Sequence, residues 1–211
     1  MNLILMGAPG AGKGTQAEKI SEKWNIPTIS TGDVLRNAIR EGNELGKIAE
    51  RYINDGNFVP DEIVIGIIKD YLSSEKCKNG FILDGFPRSL AQAEALEKMG
   101  VKIDAVLSIE VEDEKIVARM SGRRLCSGCG TSYHVEYNPS EVEGVCDKCG
   151  KPLYIREDDA PQTVKKRLET YHEQTEPLKA FYSERGLLLN VCGQDVIEDT
   201  TSLVFKTLDR F

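Results

Sequence analysis

Three groups of residues in this chain could do chemistry by type and spacing. They are a glycine-rich run that ends in lysine, a set of arginines beside apolar runs, and two pairs of cysteines. The first group reads Gly7-Ala8-Pro9-Gly10-Ala11-Gly12-Lys13-Gly14-Thr15 and follows a short apolar run. It has the G-x-x-x-x-G-K core of a phosphate-binding loop between a strand and a helix. Glycines at Gly10, Gly12 and Gly14 let backbone N–H groups converge on phosphate oxygens, with Ala11 and Thr15 in the same curve. The amino terminus of the following helix adds a favourable dipole. Lys13 reaches the terminal phosphates as a compact cation. Gly14 stands where such loops usually carry serine or threonine, so the ordinary magnesium-ligating hydroxyl is missing there.

The second chemical group lies far along the chain. Cys126-Ser127-Gly128-Cys129 and Cys146-Asp147-Lys148-Cys149 are separated by 16 residues, 130–145. Two Cys-x-x-Cys pairs at that distance match a four-cysteine zinc site, with Gly130 and Gly150 turning the chain after each pair. The segment 122–159 is too small to bury a sufficient core of its own, and a tetrahedral metal supplies the missing stability. All four ligands come from protein, so the zinc is structural and leaves no open position for a substrate. Iron is the other metal that such a thiolate set accepts. Of the six cysteines, Cys77 and Cys192 stand apart, and Cys192 ends an apolar run as a packing residue.

The elements that must position these groups alternate. Apolar runs at Asn2–Met6, Pro27–Ser30, Gly80–Asp84, Ala105–Val111 and Leu187–Cys192 read as buried strands. Helical patterns lie between them: Lys13–Trp24, Gly32–Asp55 with a break at Gly42, a helix capped by Asp61 and running to Leu72, Ser89–Met99, and Glu112–Ser121. A longer helix over Pro161–Glu184 carries a kink at Pro177, and a last helix ends the chain. With the cysteine segment set aside, the order is β-α five times. That is an α/β fold with a five-stranded parallel sheet and helices on both faces. Ligands in such sheets bind beyond the carboxyl ends of the strands, where the phosphate loop falls.

Composition narrows the function classes. Forty per cent hydrophobic and 29% charged residues suit a globular protein, and no apolar run approaches the length of a membrane span. The amino terminus has no basic leader, and a cytoplasmic location is the default expectation. A formal net charge of −7 argues against a coat for nucleic acid but not against anions held by a few arginines in a cleft.

The fuller string GAPGAGKGTQ resembles the opening of the adenylate kinases and their nucleoside monophosphate kinase relatives. The strings STGDVLR from Ser30 to Arg36, GFILDGFPR from Gly80 to Arg88, RMSGRR from Arg119 to Arg124 and REDD from Arg156 to Asp159 agree with it, as does Arg167. The resemblance covers almost the whole chain in order. It implies a P-loop core of residues 1–29, 60–121 and 160–211, an AMP-binding domain at 30–59, and a lid at 122–159. It implies reversible phosphoryl transfer from Mg-ATP to AMP, with ATP, AMP and ADP as partners, in a monomer that binds neither nucleic acid nor membrane.

Residue by residue, the resemblance gives the loop Gly10, Ala11, Gly12, Lys13, Gly14 and Thr15 to the ATP phosphates. Arg119 stacks on the ATP adenine, Gln194 lies near it, and the backbone at Ser132 and Tyr133 touches ATP. Thr31, Arg36, Arg88 and Gln92 bind AMP, Gln92 reading the adenine edge while the two arginines clamp the phosphate. Asn57, Phe58 and Val59, with Gly85, Phe86 and Pro87, line the AMP path. Lys13, Arg88, Arg123, Arg156 and Arg167 surround the transferring group, and Asp84 holds Mg²⁺ through water. Asp158 and Asp159 hold the lid arginines in the closed form. Arginine suits this task because its planar fork binds phosphate bidentately and stays charged. Arg40, Arg51, Arg124 and Arg185 read as solvated surface charges, and His134 and His172 as structural or surface residues.

Three other readings compete. A kinase for UMP, CMP or GMP uses the same scaffold. A zinc-ribbon module that binds nucleic acid or protein would explain the cysteines alone. A P-loop ATPase lacks the hydroxyl after Lys13 and leaves the second set of arginines without a task.

Overall fold

A computed structural model describes residues 1–211. Five parallel strands form the central sheet: β1 (Asn2–Met6), β2 (Thr28–Ser30), β3 (Phe81–Asp84), β4 (Ala105–Glu110) and, last in the chain, β8 (Leu188–Cys192). Their order across the sheet is β2-β3-β1-β4-β8. Alternation along β1 divides the core. Ile4 and Met6 face one apolar cluster with Leu83 and Val106, while Leu3 and Leu5 face another with Ile82 and Leu107. Each such buried side chain contributes about 1.5–3 kcal/mol relative to exposure. That is why near-continuous apolar runs fold here as strands covered on both faces.

Helices α1 (Lys13–Trp24), α4 (Asp61–Leu72), α5 (Leu90–Lys98), α6 (Asp113–Gly122) and α9 (Ile197–Leu208) surround this sheet. The helical stretch expected at Gly32–Asp55 with a break at Gly42 is two helices, α2 (Thr31–Glu41) and α3 (Glu44–Asn54). Gly42 caps the first at φ 65°, and the Asn43 side chain accepts from Gly46 N to start the second. The close packing of α3 against the end of α2 needs Gly46, since a Cβ there would lie 2.1 Å from Ala38 O.

Three expectations change. The cysteine segment, to which the sequence assigns no element, holds three strands: β5 (Arg123–Cys126), β6 (Ser132–His134) and β7 (Leu153–Tyr154) form an antiparallel sheet in the order β6-β5-β7. The long helix expected at Pro161–Glu184 is interrupted before Pro177. It divides into α7 (Pro161–Thr170), one π-helical turn (Tyr171–Thr175) and α8 (Leu178–Glu184). Cys192 is exposed at the end of β8 and does not pack in the core, whereas Cys77 is buried. No helix is long and apolar enough to cross a membrane.

Candidate active site

The carboxyl ends of β1, β2 and β3 open into one cleft of about 830 Å³. The loop after β1 begins with Gly7, where a Cβ would lie 2.6 Å from Ile109 O, so the backbone can follow this path only without a side chain. It ends at Gly12, which starts α1 in the left-handed conformation at φ 94°. The first-turn N–H groups of α1 lack helical partners and present a positive pole to the cleft. Lys13 folds back onto the same loop, donating to Gly7 O at 2.7 Å and Ala8 O at 2.9 Å.

Asp84 ends β3 across from this loop. A Cβ at Gly14 would lie 3.8 Å from Asp84 Oδ2, so the glycine leaves the carboxylate the space that a serine or threonine side chain would enter. A carboxylate oxygen beside a phosphate-type loop is a donor that suits Mg²⁺. Desolvation raises the Asp84 carboxyl above its ordinary value, against the pull of Lys13 and Arg88. Desolvation also lowers Lys13 from its ordinary 10.5 to about 8; Asp84 opposes that fall, and Arg88, Arg167 and Arg123 add to it. The charges that act on Lys13 are thus one carboxylate, Asp84, and three arginines, Arg88, Arg167 and Arg123.

The arginines come from separate elements and converge. Arg123, the first residue of β5, forms a two-point ion pair with Asp159, with Nε at 2.8 Å from Oδ2. Arg156 pairs in the same way with Asp158, Nε at 2.7 Å from Oδ1. Arg167 on α7 donates to Asp158 O at 2.8 Å and Asp159 Oδ1 at 3.1 Å. Burial acts to raise the Asp158 carboxyl, but Arg167 and Arg156 outweigh it and hold it at about 2. Desolvation lowers Arg167 to about 10. These carboxylates fix guanidinium groups that also line the cleft.

On the opposite wall, Thr31 donates to Gly85 O at 2.9 Å and Arg88 Nε to the same oxygen at 2.7 Å. The Arg88 guanidinium lies 5.1 Å from the Phe58 ring centroid. Arg36 is held by Asp33 at 2.5 Å. Gln92, 1% exposed, accepts from Arg88 N at 2.7 Å and donates to Asp61 Oδ1 at 2.6 Å. Asp61 was expected as a helix cap, but it is the first residue of α4, and its side chain reaches across to α5 instead. At the other end, Arg119 donates to Gln194 O at 2.8 Å.

The cleft brings together the sequence-derived candidates, including Asn57, Val59, Pro87, Ser132 and Tyr133. Phe86 and Asp159 do not line it: the Phe86 side chain is 0% exposed within the core cluster below the cleft, and Asp159 lies buried behind Arg123. Tyr133 turns its phenol toward the cysteines, with the hydroxyl 3.4 Å from Cys146 Sγ and accepting from Asp147 N at 2.9 Å. Two contacts over the cleft were not foreseen. Arg40 Nη1 donates to Ser127 O at 3.0 Å, and Lys148 pairs with Glu18 on α1. Both are exposed charges whose sequence surroundings are ordinary.

The four sulfurs of Cys126, Cys129, Cys146 and Cys149 lie within 4.8 Å of one another. Separations of 3.3 Å (Cys126–Cys149) and 3.5 Å (Cys129–Cys146) approach the roughly 3.8 Å edge of a zinc–thiolate tetrahedron. Backbone N–H groups of Gly128 and Cys129 point at Cys126 Sγ at 3.3 and 3.4 Å, as a thiolate ligand requires. The residues fit a structural zinc ion. His134, by contrast, accepts at Nδ1 from Glu136 N and Tyr137 N, and Nε2 faces Arg119 O, so it braces a turn.

Comparison with known proteins agrees with this geometry. The family model described as adenylate kinase matches residues 5–187. The chain is similar to an adenylate kinase of Caldicellulosiruptor bescii, 61% identical over 99% of each chain. It is 53% identical to that of Acetivibrio thermocellus over 99% of this chain and 98% of the other. With that of Thermodesulfovibrio yellowstonii it shares 49% identity over the full length of both. With the family model matched along most of its length and these relatives aligned end to end, the chain belongs to the adenylate kinase family.

Proposed function

We infer that this cleft catalyses reversible transfer of the γ-phosphoryl group of Mg-ATP to AMP, giving two ADP. One observation carries the reading: five cations, Lys13, Arg88, Arg123, Arg156 and Arg167, line a single cleft and outnumber the three carboxylates, Asp84, Asp158 and Asp159, that pair with or face them. Two phosphate chains supply the remaining negative charge when they meet end to end. Gly10 to Thr15 and Lys13 hold the ATP phosphates, while Arg119 and Gln194 flank its adenine and the Ser132–Tyr133 backbone lies over it. Thr31, Arg36, Arg88 and Gln92 take AMP, beside Asn57 to Val59 and Gly85 to Pro87.

An AMP phosphate oxygen attacks the γ-phosphorus while the bond to the β–γ bridging oxygen breaks, and that electron pair leaves with ADP. The attacking oxygen is already ionised, so no general base is required. Catalysis is positioning and charge stabilisation. Arg123, Arg156 and Arg167 sit where negative charge spreads onto the transferring oxygens, already oriented by Asp158 and Asp159. Asp84 would help to hold Mg²⁺, which would supply further positive charge to the phosphates. The segment 122–159 acts as the lid and 30–59 as the AMP-binding domain, closing to exclude water as the competing acceptor. The four cysteines would hold zinc, which would cross-link the lid and take no part in transfer. The protein acts as a monomer in the cytoplasm.

Inhibition by bis-adenosine pentaphosphate tests this arrangement. The compound should compete with both ATP and AMP, because it occupies both nucleotide positions at once. Competition against ATP alone would leave the second set of arginines without a ligand and overturn the reading.

A further inference from the structure

The side-chain amide of Gln92 is fixed in one orientation before any nucleotide arrives. Its Oε1 accepts from Arg88 N at 2.7 Å and its Nε2 donates to Asp61 Oδ1 at 2.6 Å. A backbone N–H can only donate, and a carboxylate can only accept. Turning the amide over would set oxygen against oxygen at Asp61 and hydrogen against hydrogen at Arg88. The second carboxylate oxygen, Asp61 Oδ2, accepts from Ser89 Oγ at 2.9 Å, and that hydroxyl accepts from Gln92 N at 3.2 Å to cap α5. Asp61 therefore holds both the side chain of Gln92 and the helix turn that carries it. One lone pair and one hydrogen of the amide are left over, and Gln92 lines the cleft.

We propose that Asp61 is a positioning residue that makes Gln92 a one-way reader of the base. This rests on the reading of Gln92 as the contact to the AMP base. Adenine presents a donor at its 6-amino group beside an acceptor at N1. A 6-oxo purine presents the reverse, a carbonyl acceptor beside an N1 hydrogen. A freely turning amide serves both edges equally well. A clamped one serves one edge and meets the other with like against like, so discrimination depends on a carboxylate that lies behind the base contact.

The experiment compares kcat/KM for AMP and inosine monophosphate, with Mg-ATP as donor, in wild type, Asp61→Asn and Asp61→Ala. Asparagine can donate or accept, so it keeps the volume and releases the Asp61 end of the amide, leaving Arg88 N as the one remaining fixed partner. The AMP preference should fall about tenfold or more in both variants, the two lost or inverted hydrogen bonds being of that order. The change should lie in KM for the monophosphate, with KM for Mg-ATP unmoved. A lower melting temperature with equal losses for both substrates, so that the ratio stands, would reduce Asp61 to a structural residue and overturn the proposal.

Gln92→Ala separates this failure from that of the underlying reading. If the ratio survives Gln92→Ala, Gln92 is not the base contact. If it collapses there but stands in the Asp61 variants, the clamp alone is wrong. Proton NMR of the free wild-type enzyme needs no variant to fold. One Gln92 Nε2 proton should resonate downfield of those of exposed Gln162, and two matching Gln162 would also overturn the clamp.

Discussion

Around the parallel sheet, apolar clusters of 17 and 11 buried residues lie on the two faces, and β1 shares strand pairing with β3 and β4. In the antiparallel segment of β5, β6 and β7 the buried apolar cluster is Cys126, Tyr133 and Cys146, and two of these three are sulfur donors of the metal-type cluster. The first region is ordered by burial spread over many residues. The second cannot be, and its strands of two to four residues would not persist alone. A proposed lid that must swing over ATP cannot share its core with the body. A metal held by the four cysteines would cross-link it internally and keep it rigid without tying it down. The cations proposed to act in transfer fit this division. Arg123 and Arg156 lie near the two ends of the segment 122–159, so closure of the proposed lid would place their charge in the same movement.

The comparison breaks first if the arginines prove structural. Arg88→Lys on the body side and Arg156→Lys at the lid junction should each lower kcat by about 10²–10³-fold, since lysine keeps the charge but not the fork. Melting temperature should shift by only a few degrees, and a matching collapse of stability would show that these residues hold the fold instead.

Cys129→Ser sharpens the other side. Loss of one thiolate should remove about 3 kcal/mol, lowering the melting temperature by on the order of 10 °C. Turnover well below melting should stay near wild type. Equal loss of turnover with no change in melting would count against a purely structural metal.

A smaller effect tests the electropositive cleft. Free Lys13 sits at about 8, below its ordinary 10.5. Between those values the unfolded chain binds the proton and the folded one does not. The charged lysine therefore costs stability below about 8, and the cost disappears as pH rises toward 10.5. A polyphosphate raises the lysine again, so binding takes up a proton in that window. Calorimetry of bis-adenosine pentaphosphate at pH 9, in buffers of differing ionisation enthalpy, should show uptake of up to one proton. At pH 6.5 it should show none from this group, and Lys13→Met should abolish the difference.

The smallest effect belongs to the exposed contact between the two regions. Lys148→Ala removes the pairing with Glu18 and should raise KM for Mg-ATP by about twofold, an effect fading at high salt. No change at low salt would mean that this contact does not bias closure.

Much of this was legible because the decisive features are local in sequence. The phosphate loop is contiguous, the cysteine pairs announce a four-sulfur cluster by spacing, and apolar runs buried on both faces read as parallel strands. What escaped depends on distance or brevity. The strands of the cysteine segment are too short for periodicity to register. The π turn at Tyr171–Thr175 carries the same residue pattern as a helix. Asp61 looked like a cap because Gln92, which it holds, lies 31 positions on, and Arg40 and Lys148 meet partners 87 and 130 positions away.

The central claim is transfer between two nucleotides with water excluded. Purified protein given Mg-ATP with AMP, CMP, UMP, GMP or no acceptor, with products separated by chromatography, tests it most directly. Rapid ADP formation with AMP and little with any other acceptor or none is the predicted result. Rapid transfer to another monophosphate would keep the mechanism and overturn the reading of Thr31 and Gln92. Steady ATP loss regardless of acceptor would contradict the account.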